Sequence, residues 1–143
     1  MPDILSFFAS HIISGDGLQV IQDAAINVKD GIILSVGNPL PEAKTFDLGK
    51  VLLSPMFIDA HTHLGDTGAK ELGVGLPLDQ VVVPPHGLKH RFLASQDTET
   101  HIQQMRHGLL EMLNNGIIAC ADFREQGLSG VQALQQATQN IPI

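Results

Sequence analysis

The stretch Phe57-Ile58-Asp59-Ala60-His61-Thr62-His63 places two histidines, separated by a single residue, at the end of an apolar run. The run predicts a buried strand, and because side chains alternate across a strand, His61 and His63 are expected on the same face. Two adjacent imidazoles can bind one divalent metal ion. Catalytic zinc usually has three protein ligands and a water, so the pair predicts half of a site. A solvated or hydrogen-bonded pair of histidines is the other interpretation of this spacing.

Downstream of the pair, a long loop-rich segment precedes a clear helix. Residues 64–95 are rich in glycine and proline, with short helical turns expected around Leu78 to Val83. Thr98 to Asn115 carries apolar residues at three- and four-residue spacing, which predicts an amphipathic helix. Asp97 or Thr98 can cap its start, and Gly116 suits the position after its end.

The remaining segment alternates again between strand and helix. Ile117 to Phe123 predicts a short strand, and Ser129 is expected to cap a second helix. The apolar side of that helix is expected at Val131, Leu134 and Ala137. Ile141 to Ile143 reads as the start of another strand. Alternation of this kind predicts parallel strands joined by right-handed crossovers.

Upstream of the pair, the sequence has the pattern of β structure. Phe7 to Ile13 is an apolar run, and Ala24 to Val28 and Ile32 to Val36 flank Asp30-Gly31. Asp-Gly between two apolar runs is a strong signal for a tight hairpin, because the turn needs positive φ at both central positions. Asp47 to Leu53 predicts one more short strand.

Composition excludes several classes of function. The chain of 143 residues has a formal net charge of −7 and only eight Lys and Arg, scattered along it, which argues against a nucleic-acid partner. No apolar run approaches the roughly 20 residues of a membrane helix, and residues 1–5 do not resemble a signal peptide. Cys120 is the single cysteine, and we expect it to be buried and structural. We therefore expect a cytoplasmic protein without disulfides or membrane contact.

The segment Gly49 to Ala60 that leads into His61 resembles the signature of the amidohydrolase superfamily. Ser14 to Gly17 and Ala25 to Ile32 are similar to the N-terminal sheet of that family. Met56 departs from the pattern, since the family usually has glycine there. The resemblance implies an α/β protein in which residues 1–54 form a small N-terminal β-sheet domain, part of a composite β-sandwich. Residues 55–143 would then begin a metal-dependent hydrolase barrel of the TIM (β/α)8 type, with its first two βα units.

The same resemblance implies hydrolysis of C–N bonds in cyclic amides or amino-substituted heterocycles, with a small heterocyclic molecule as substrate. In the family, His61 and His63 would hold the metal together with ligands from the fifth, sixth and eighth strands. Zinc is the expected metal, with iron and nickel as alternatives. The segments starting at Gly65-Asp66-Thr67-Gly68 and Pro85-His86-Gly87 look most like the deaminase and chlorohydrolase branch.

A complete barrel has eight strand-helix units and about 250 residues, of which this chain carries two units and the start of a third. We therefore expect a truncated fragment that is inactive alone and forms homo-oligomers, including by domain swapping, to cover its open sheet edges. The alternative function is a non-catalytic binding or assembly protein derived from an amidohydrolase.

Other polar residues are weaker candidates. His86 and His90 are four residues apart, but the neighbouring prolines and Gly87 favour a loop or substrate contact over a metal pair. His101 and His107 are expected to be exposed or at the margin of the long helix, and His11 lies far from the motif.

Two aspartates flank the predicted site. Asp122, at the end of the second barrel strand, is expected to cap the next loop or to touch substrate. Asp59, two residues before His61, is expected to orient a ligand or to anchor the backbone.

Overall fold

The computed structural model of the protein describes residues 4–143. The chain divides into two compact units, of which the first ends at Pro55 and the second comprises Met56–Ile143. Each unit is described by itself below. Together they give a mixed α/β composition, with a β-sheet unit followed by a unit that contains all of the described helices.

The first unit is one five-stranded sheet. Its strands are β1 Leu5–Ser14, β2 Gln19–Lys29, β3 Ile32–Gly37, β4 Lys44–Asp47 and β5 Leu52–Leu53. The strand order is β3-β2-β1-β4, with β5 also pairing with β1. The pairs β1–β2 and β2–β3 are antiparallel, whereas β4 and β5 run parallel to β1. The core contains Ala9, Ile12 and Ala24.

The hairpin prediction at Asp30-Gly31 is confirmed. Both residues have positive φ, 52° and 78°, and β2 pairs with β3 across them. The expected single strand from Asp47 to Leu53 is wrong, because Asp47 ends β4 and, of the residues after it, only Leu52–Leu53 form a strand. Gly49 between them has a φ of 73°, and its N–H donates to Asp47 Oδ1 at 2.8 Å. A left-handed glycine held in this way turns the backbone out of the extended conformation.

The sheet of the first unit buries one polar cluster. Ser6 and Asn27 are both fully buried, and the Ser6 hydroxyl donates to Asn27 Oδ1 at 2.5 Å. The Asn27 amide donates to Ser35 Oγ at 2.9 Å and to the Asn38 carbonyl at 3.0 Å. The side chain of Asn27 is therefore satisfied, and it ties three segments of the unit together.

The second unit begins with strand β6 Phe57–Thr62 and a 3-10 helix over Leu64–Ala69. The elements that follow are α1 Leu78–Val82, α2 Leu88–Ser95, α3 Thr98–Asn114, β7 Ile117–Asp122 and α4 Gly127–Ala137. Strands β6 and β7 pair in parallel, which confirms the prediction from alternation. Helix α2 was not expected, because Pro84, Pro85 and Gly87 just before it predict a loop.

Helix α3 and its cap match the sequence. The Thr100 N–H donates to Asp97 Oδ1 at 2.9 Å, and Gly116 has the expected positive φ of 79°. The apolar stripe of α3 is the core of the second unit, with Ile102, Met105 and Leu109 buried. The residues packed against this stripe from other elements are Leu64, Ala133, Ala137 and Ile141.

Three expectations near the end of the chain are wrong. Helix α4 begins at Gly127 instead of after Ser129, whose hydroxyl lies inside the first turn and donates to the Gln126 carbonyl at 2.8 Å. Of the expected apolar side of α4, Leu134 and Ala137 pack against the core as predicted. Val131 does not, since it is 42% exposed and Ala133 is buried in its place. Ile141 to Ile143 is not a strand, since Ile141 N–H closes a turn onto the Thr138 carbonyl and its side chain is buried.

Strand β6 is not buried, contrary to expectation. Phe57 is 64% exposed and Ile58 is 71% exposed. Within residues 4–143, β6 is paired along one edge only, by β7, so its apolar side chains have no second strand beside them. The two parallel strands and their helices form an α/β arrangement. Their membership of a (β/α)8 barrel stays a prediction. Among the described helices, none has the length and apolarity to span a membrane.

Candidate metal centre

The two histidines of the sequence motif lie together at the end of β6. Their Nε2 atoms are 3.3 Å apart, and the two rings are tilted by 57° with centroids 5.2 Å apart. The His61 ring also stacks on Phe123, which follows β7, at 4.2 Å between centroids. Two neighbouring parallel strands therefore fix the pair at their carboxyl ends.

The geometry of the pair fits a shared divalent ion. Zinc binds imidazole nitrogen at about 2.0–2.1 Å with tetrahedral angles, which puts two such nitrogens about 3.3–3.4 Å apart. The separation of the Nε2 atoms has this value. His63 is 38% exposed in its side chain, so an ion can reach the site from solvent. The two residues supply half of the usual ligand set.

The opposite side of the His63 ring faces a carboxylate. His63 Nδ1 lies 3.0 Å from Glu125 Oε1. Burial of Glu125 works to raise its pKa, but hydrogen bonds from Lys89, its own backbone, Arg124 and His63 outweigh burial and lower the pKa to about 2. An ionised carboxylate only accepts hydrogen bonds, so a hydrogen bond between His63 and Glu125 requires the proton on Nδ1. The lone pair of His63 is then on Nε2, toward His61.

An ammonium group occupies the space between Glu125, Asp66 and His63. Ligand atoms of these three residues lie within 4.8 Å of one another, an arrangement that can hold a metal ion. Lys89 Nζ, however, forms an ion pair with Glu125, lies 3.0 Å from Asp66 Oδ2 and lies 3.1 Å from His63 Nδ1. The positive charge at this position is therefore the lysine itself. Burial lowers the pKa of Lys89, but the hydrogen bonds and charges of Glu125 and Asp66 more than compensate and raise it.

A second carboxylate, Asp122, holds the backbone on both sides of His63. Its Oδ1 accepts the Thr62 hydroxyl at 3.1 Å and the Leu64 N–H at 2.7 Å. Its Oδ2 forms an ion pair with Arg124 Nη1 at 3.3 Å, and both side chains are almost fully buried. Asp122 thus binds the turn after β6. The expectation that Asp122 caps the loop after its own strand is wrong, because its Oδ1 accepts from Thr62 and Leu64 instead.

Arg124 links the two carboxylates. Its Nη2 donates to Glu125 Oε2 at 2.8 Å, and its Nη1 contacts Met105 Sδ at 3.0 Å. Gly65 packs directly against the guanidinium, because a Cβ atom there would lie 2.0 Å from Nη2. The 3-10 turn after His63 can approach this closely only because residue 65 has no side chain.

Asp59 anchors the backbone at His61, since its Oδ1 accepts the His61 N–H at 3.0 Å.

His101 was expected to be exposed or at the margin of the long helix and is instead buried, with Nε2 3.2 Å from the Gly65 carbonyl. The turn after His63 folds over this side of α3 and covers the ring. His107 is exposed, as predicted.

The other histidines stay apart from the pair. His90 was expected in a loop and lies instead in α2, with Nε2 3.0 Å from the carbonyl of Val82 at the end of α1. His86 precedes α2. His11 is on β1, in the first unit. Cys120 was expected to be buried and is instead half-buried. Burial is the main cause that raises the pKa of its thiol, and nearby Asp122 and Asp59 add to it against a hydrogen bond with Thr62.

A cavity of about 530 Å³ lies beside the centre. His63, Asp66 and Lys89 line it at one place, and the rest of its wall is largely apolar, including Val81, Leu88 and Met112. Small-molecule pockets usually measure about 300–1,000 Å³ and combine an apolar wall with a few polar groups.

Sequence reasoning missed Lys89, Arg124 and Glu125. Arg124 and Glu125 follow β7 at the edge of the sheet where the histidine pair lies. In parallel strands, that position is a usable signal for a functional residue. Lys89 carries no such signal, because its contact with Glu125 and His63 depends on the path of the long segment after β6.

Curated proteins are similar in sequence to most of this chain. No family model matches the sequence. A protein of Methanothermobacter thermautotrophicus named "Putative aminohydrolase" is 36% identical over 117 residues, which cover 81% of this chain and 30% of that protein. Imidazolonepropionase of Staphylococcus aureus (strain JH9) is 26% identical over 131 residues, which cover 85% of this chain and 32% of the enzyme.

The fold has solved counterparts. A triazine hydrolase variant matches with a TM-score of 0.71 at 21% identity, over 99% of this chain and 34% of that one. A mutant atrazine chlorohydrolase from Arthrobacter aurescens TC1, solved with zinc and atraton, matches with a TM-score of 0.66 at 20% identity. The match covers 97% of this chain and 34% of that chain. This chain spans about a third of the length of the relatives it matches. Together, the similarities in sequence and in fold support a relationship between this chain and the amidohydrolase superfamily.

Proposed function

We propose that this chain is the N-terminal part of a metal-dependent amidohydrolase, in which His61 and His63 hold a divalent metal ion. The observation that carries the proposal is the 3.3 Å separation of the two Nε2 atoms, which fits two ligands of one ion. A metal bound there supplies a water of lowered pKa and polarises the substrate. Zinc suits the imidazole donors, and iron or nickel would suit them as well.

The residues of this chain prepare the site for such an ion. Asp59 fixes the backbone at His61, and Asp122 fixes the backbone on both sides of His63. The Phe123 ring restricts the His61 ring by stacking. The remaining ligands would come from the part of the enzyme that the matched third does not include.

We assign residues 1–54 to the N-terminal β-sheet domain and residues 55–143 to the start of a (β/α)8 barrel. The substrate class is a cyclic amide or an amino-substituted heterocycle, in the deaminase and chlorohydrolase branch. The names imidazolonepropionase and triazine hydrolase among the matched proteins support this class. The apolar cavity beside His63 offers space for a ring.

The first test measures metal binding by the chain itself. Zn²⁺ is titrated against a competing chelator dye at one fixed pH for all variants. The variants His61→Asn and His63→Asn are each expected to weaken binding by at least 10-fold. His107→Asn is the matched control, since that side chain is 70% exposed and distant in sequence from the motif. Equal affinities for all four proteins would contradict the proposed metal pair.

The second test concerns activity. In a protein of full enzyme length that contains this sequence, ammonia release from amino-heterocycles and ring opening of cyclic amides are measured before and after chelation. Activity should disappear with the metal and return with Zn²⁺. The 143-residue chain alone should be inactive and should sediment as an oligomer. Chelator-resistant hydrolysis by the longer protein would refute the dependence on a metal ion. Absence of hydrolysis even with Zn²⁺ would refute the enzyme assignment and favour a binding or assembly protein, for which the exposed Phe57 and Ile58 provide an apolar surface.

A further inference from the structure

We propose that Glu125 is a positioning residue that sets the tautomer and the orientation of His63. This inference rests on the proposed function, in which His63 is a metal ligand. It concerns a residue that contacts the far side of the imidazole, so its role is distinct from that of the ligands themselves. Glu125 Oε1 lies 3.0 Å from His63 Nδ1, at the ring nitrogen that does not face His61.

The carboxylate has little freedom to leave this position. Its two oxygens have different partners: Oε1 pairs with Lys89, and Oε2 accepts from Arg124 Nη2 at 2.8 Å. The side chains of Lys89 and Arg124 are only 11% and 7% exposed, so both cations are themselves confined. Glu125 is therefore held from two sides before it contacts the histidine.

Each of the two cations is fixed in turn by an aspartate. Lys89 binds Asp66 Oδ2 at 3.0 Å, and Arg124 pairs with Asp122 Oδ2 at 3.3 Å. Asp122 also accepts the N–H of Leu64, the residue after His63. The backbone and the ring of His63 are thus fixed through one connected set of charges.

The consequence for His63 is chemical as well as geometric. A carboxylate accepts a hydrogen bond, so the proton of the neutral ring stays on Nδ1 and the lone pair stays on Nε2. Nε2 is the atom that lies 3.3 Å from His61 Nε2. In known metal sites, a carboxylate that binds the second ring nitrogen of a ligand fixes its tautomer, and its loss lowers metal affinity by about 10- to 100-fold.

The lysine at the centre of this set explains why the three nearby ligand-type groups do not form a second metal site. The Lys89 ammonium already contacts Glu125, Asp66 and His63. The ammonium pairs with both carboxylates, and in the proposed tautomer Nδ1 donates its own proton to Glu125. The arrangement makes Glu125 a hydrogen-bond acceptor for His63 and leaves the ion to the Nε2 side.

The test combines two readouts on the 143-residue chain. The tautomer of His63 is read without metal from its side-chain nitrogen chemical shifts, which distinguish the Nδ1–H, Nε2–H and doubly protonated forms of the ring. Zn²⁺ affinity is measured by competition with a chelator dye. The variants are Glu125→Ala, which removes the acceptor, and Glu125→Gln, whose amide oxygen can still accept from Nδ1. Glu111→Gln is the matched control, because it also changes a carboxylate beside a histidine: Glu111 Oε1 lies 3.4 Å from Nε2 of the exposed His107.

In the wild-type chain, His63 is expected in the Nδ1–H form. Glu125→Ala should shift it toward the Nε2–H form and weaken Zn²⁺ binding by about 10- to 100-fold. Glu125→Gln should retain the tautomer and lose less affinity, whereas Glu111→Gln should change neither. A wild-type His63 in the Nε2–H form would overturn the proposal without any variant, even if Glu125→Ala does not fold. An unchanged tautomer in folded Glu125→Ala would also overturn it.

The two proposals fail in different ways. If His61→Asn leaves Zn²⁺ affinity unchanged, the metal pair is wrong, and the metal-free tautomer still decides the role of Glu125. If His61→Asn weakens binding but Glu125→Ala does not, the metal pair stands and the positioning role is wrong.

Discussion

Replacing Gly65 with alanine should disrupt the charged groups beside His63 without touching any proposed ligand. Gly65 is buried in the 3-10 turn, and an added Cβ would lie 2.0 Å from Arg124 Nη2, 3.1 Å from its Cζ and 3.3 Å from Glu125 Oε2. The guanidinium must therefore move. It is 93% buried and bound on two sides, so it cannot swing freely into solvent.

The magnitude follows from the contacts that the movement breaks. A hydrogen bond to a charged group contributes about 1.5–3 kcal/mol, and separating a buried ion pair costs about 3–5 kcal/mol. Arg124 makes one such bond to Glu125 and one such pair with Asp122. Because part of each contact can be kept by a small shift, we expect Gly65→Ala to lower the free energy of unfolding by about 2–4 kcal/mol.

The assay is urea unfolding followed by circular dichroism, with a double-mutant cycle. Gly17→Ala is the control, because its added Cβ would meet only Gln19 Cγ at 3.8 Å, and such a change usually stabilises by about 0.4–1 kcal/mol. In an Arg124→Ala background the clash is gone, so Gly65→Ala should cost less than about 0.5 kcal/mol there. Equal costs of Gly65→Ala in both backgrounds, or a cost no greater than that of Gly17→Ala, would refute the reasoning.

Three further outcomes are expected. Met105→Ala, at a fully buried position of the second core, should destabilise by about 2–5 kcal/mol in the same unfolding assay, and a loss below about 1 kcal/mol would contradict the described packing. Asp97→Ala removes the acceptor for the Thr100 N–H and should cost about 1 kcal/mol, with Asp97→Asn close to wild type as its control. Cys120 has a raised thiol pKa, so its thiolate fraction at pH 7 is below that of an ordinary cysteine, and alkylation by iodoacetamide should be slower than for a free cysteine peptide and should accelerate at a higher pH than for that peptide. Reaction at pH 7 as fast as that of the peptide would contradict this.

Local patterns were enough to predict those parts of the fold that depend on neighbouring residues. The Asp30-Gly31 hairpin needs only two positive φ values, and helix α3 needs only its cap at Asp97 and its apolar stripe. The convergence of His61 and His63 likewise follows from alternation along one strand. Each of these features lies within a few residues of its cause.

The parts that were wrong depend on contacts between distant residues. His101 was expected near solvent, because nothing on its own helix shows that the turn at Gly65 will cover it. Lys89 reaches Glu125 across a segment whose path no short pattern determines. The exposure of Ile58 depends on which strands lie beside β6, which the sequence of β6 does not specify.

The hydrogen bonds from Thr62 and Leu64 to Asp122 also have a consequence for the order of events during folding. The partners are 60 and 58 residues apart along the chain, so the turn that carries His63 cannot take its final form while only the first strand has been made. Closing a loop of this length costs conformational entropy before the bonds compensate for it. During synthesis, the ribosome must therefore release the chain past Asp122 before the turn that carries His63 can form these bonds, although His63 itself is translated about 60 residues earlier.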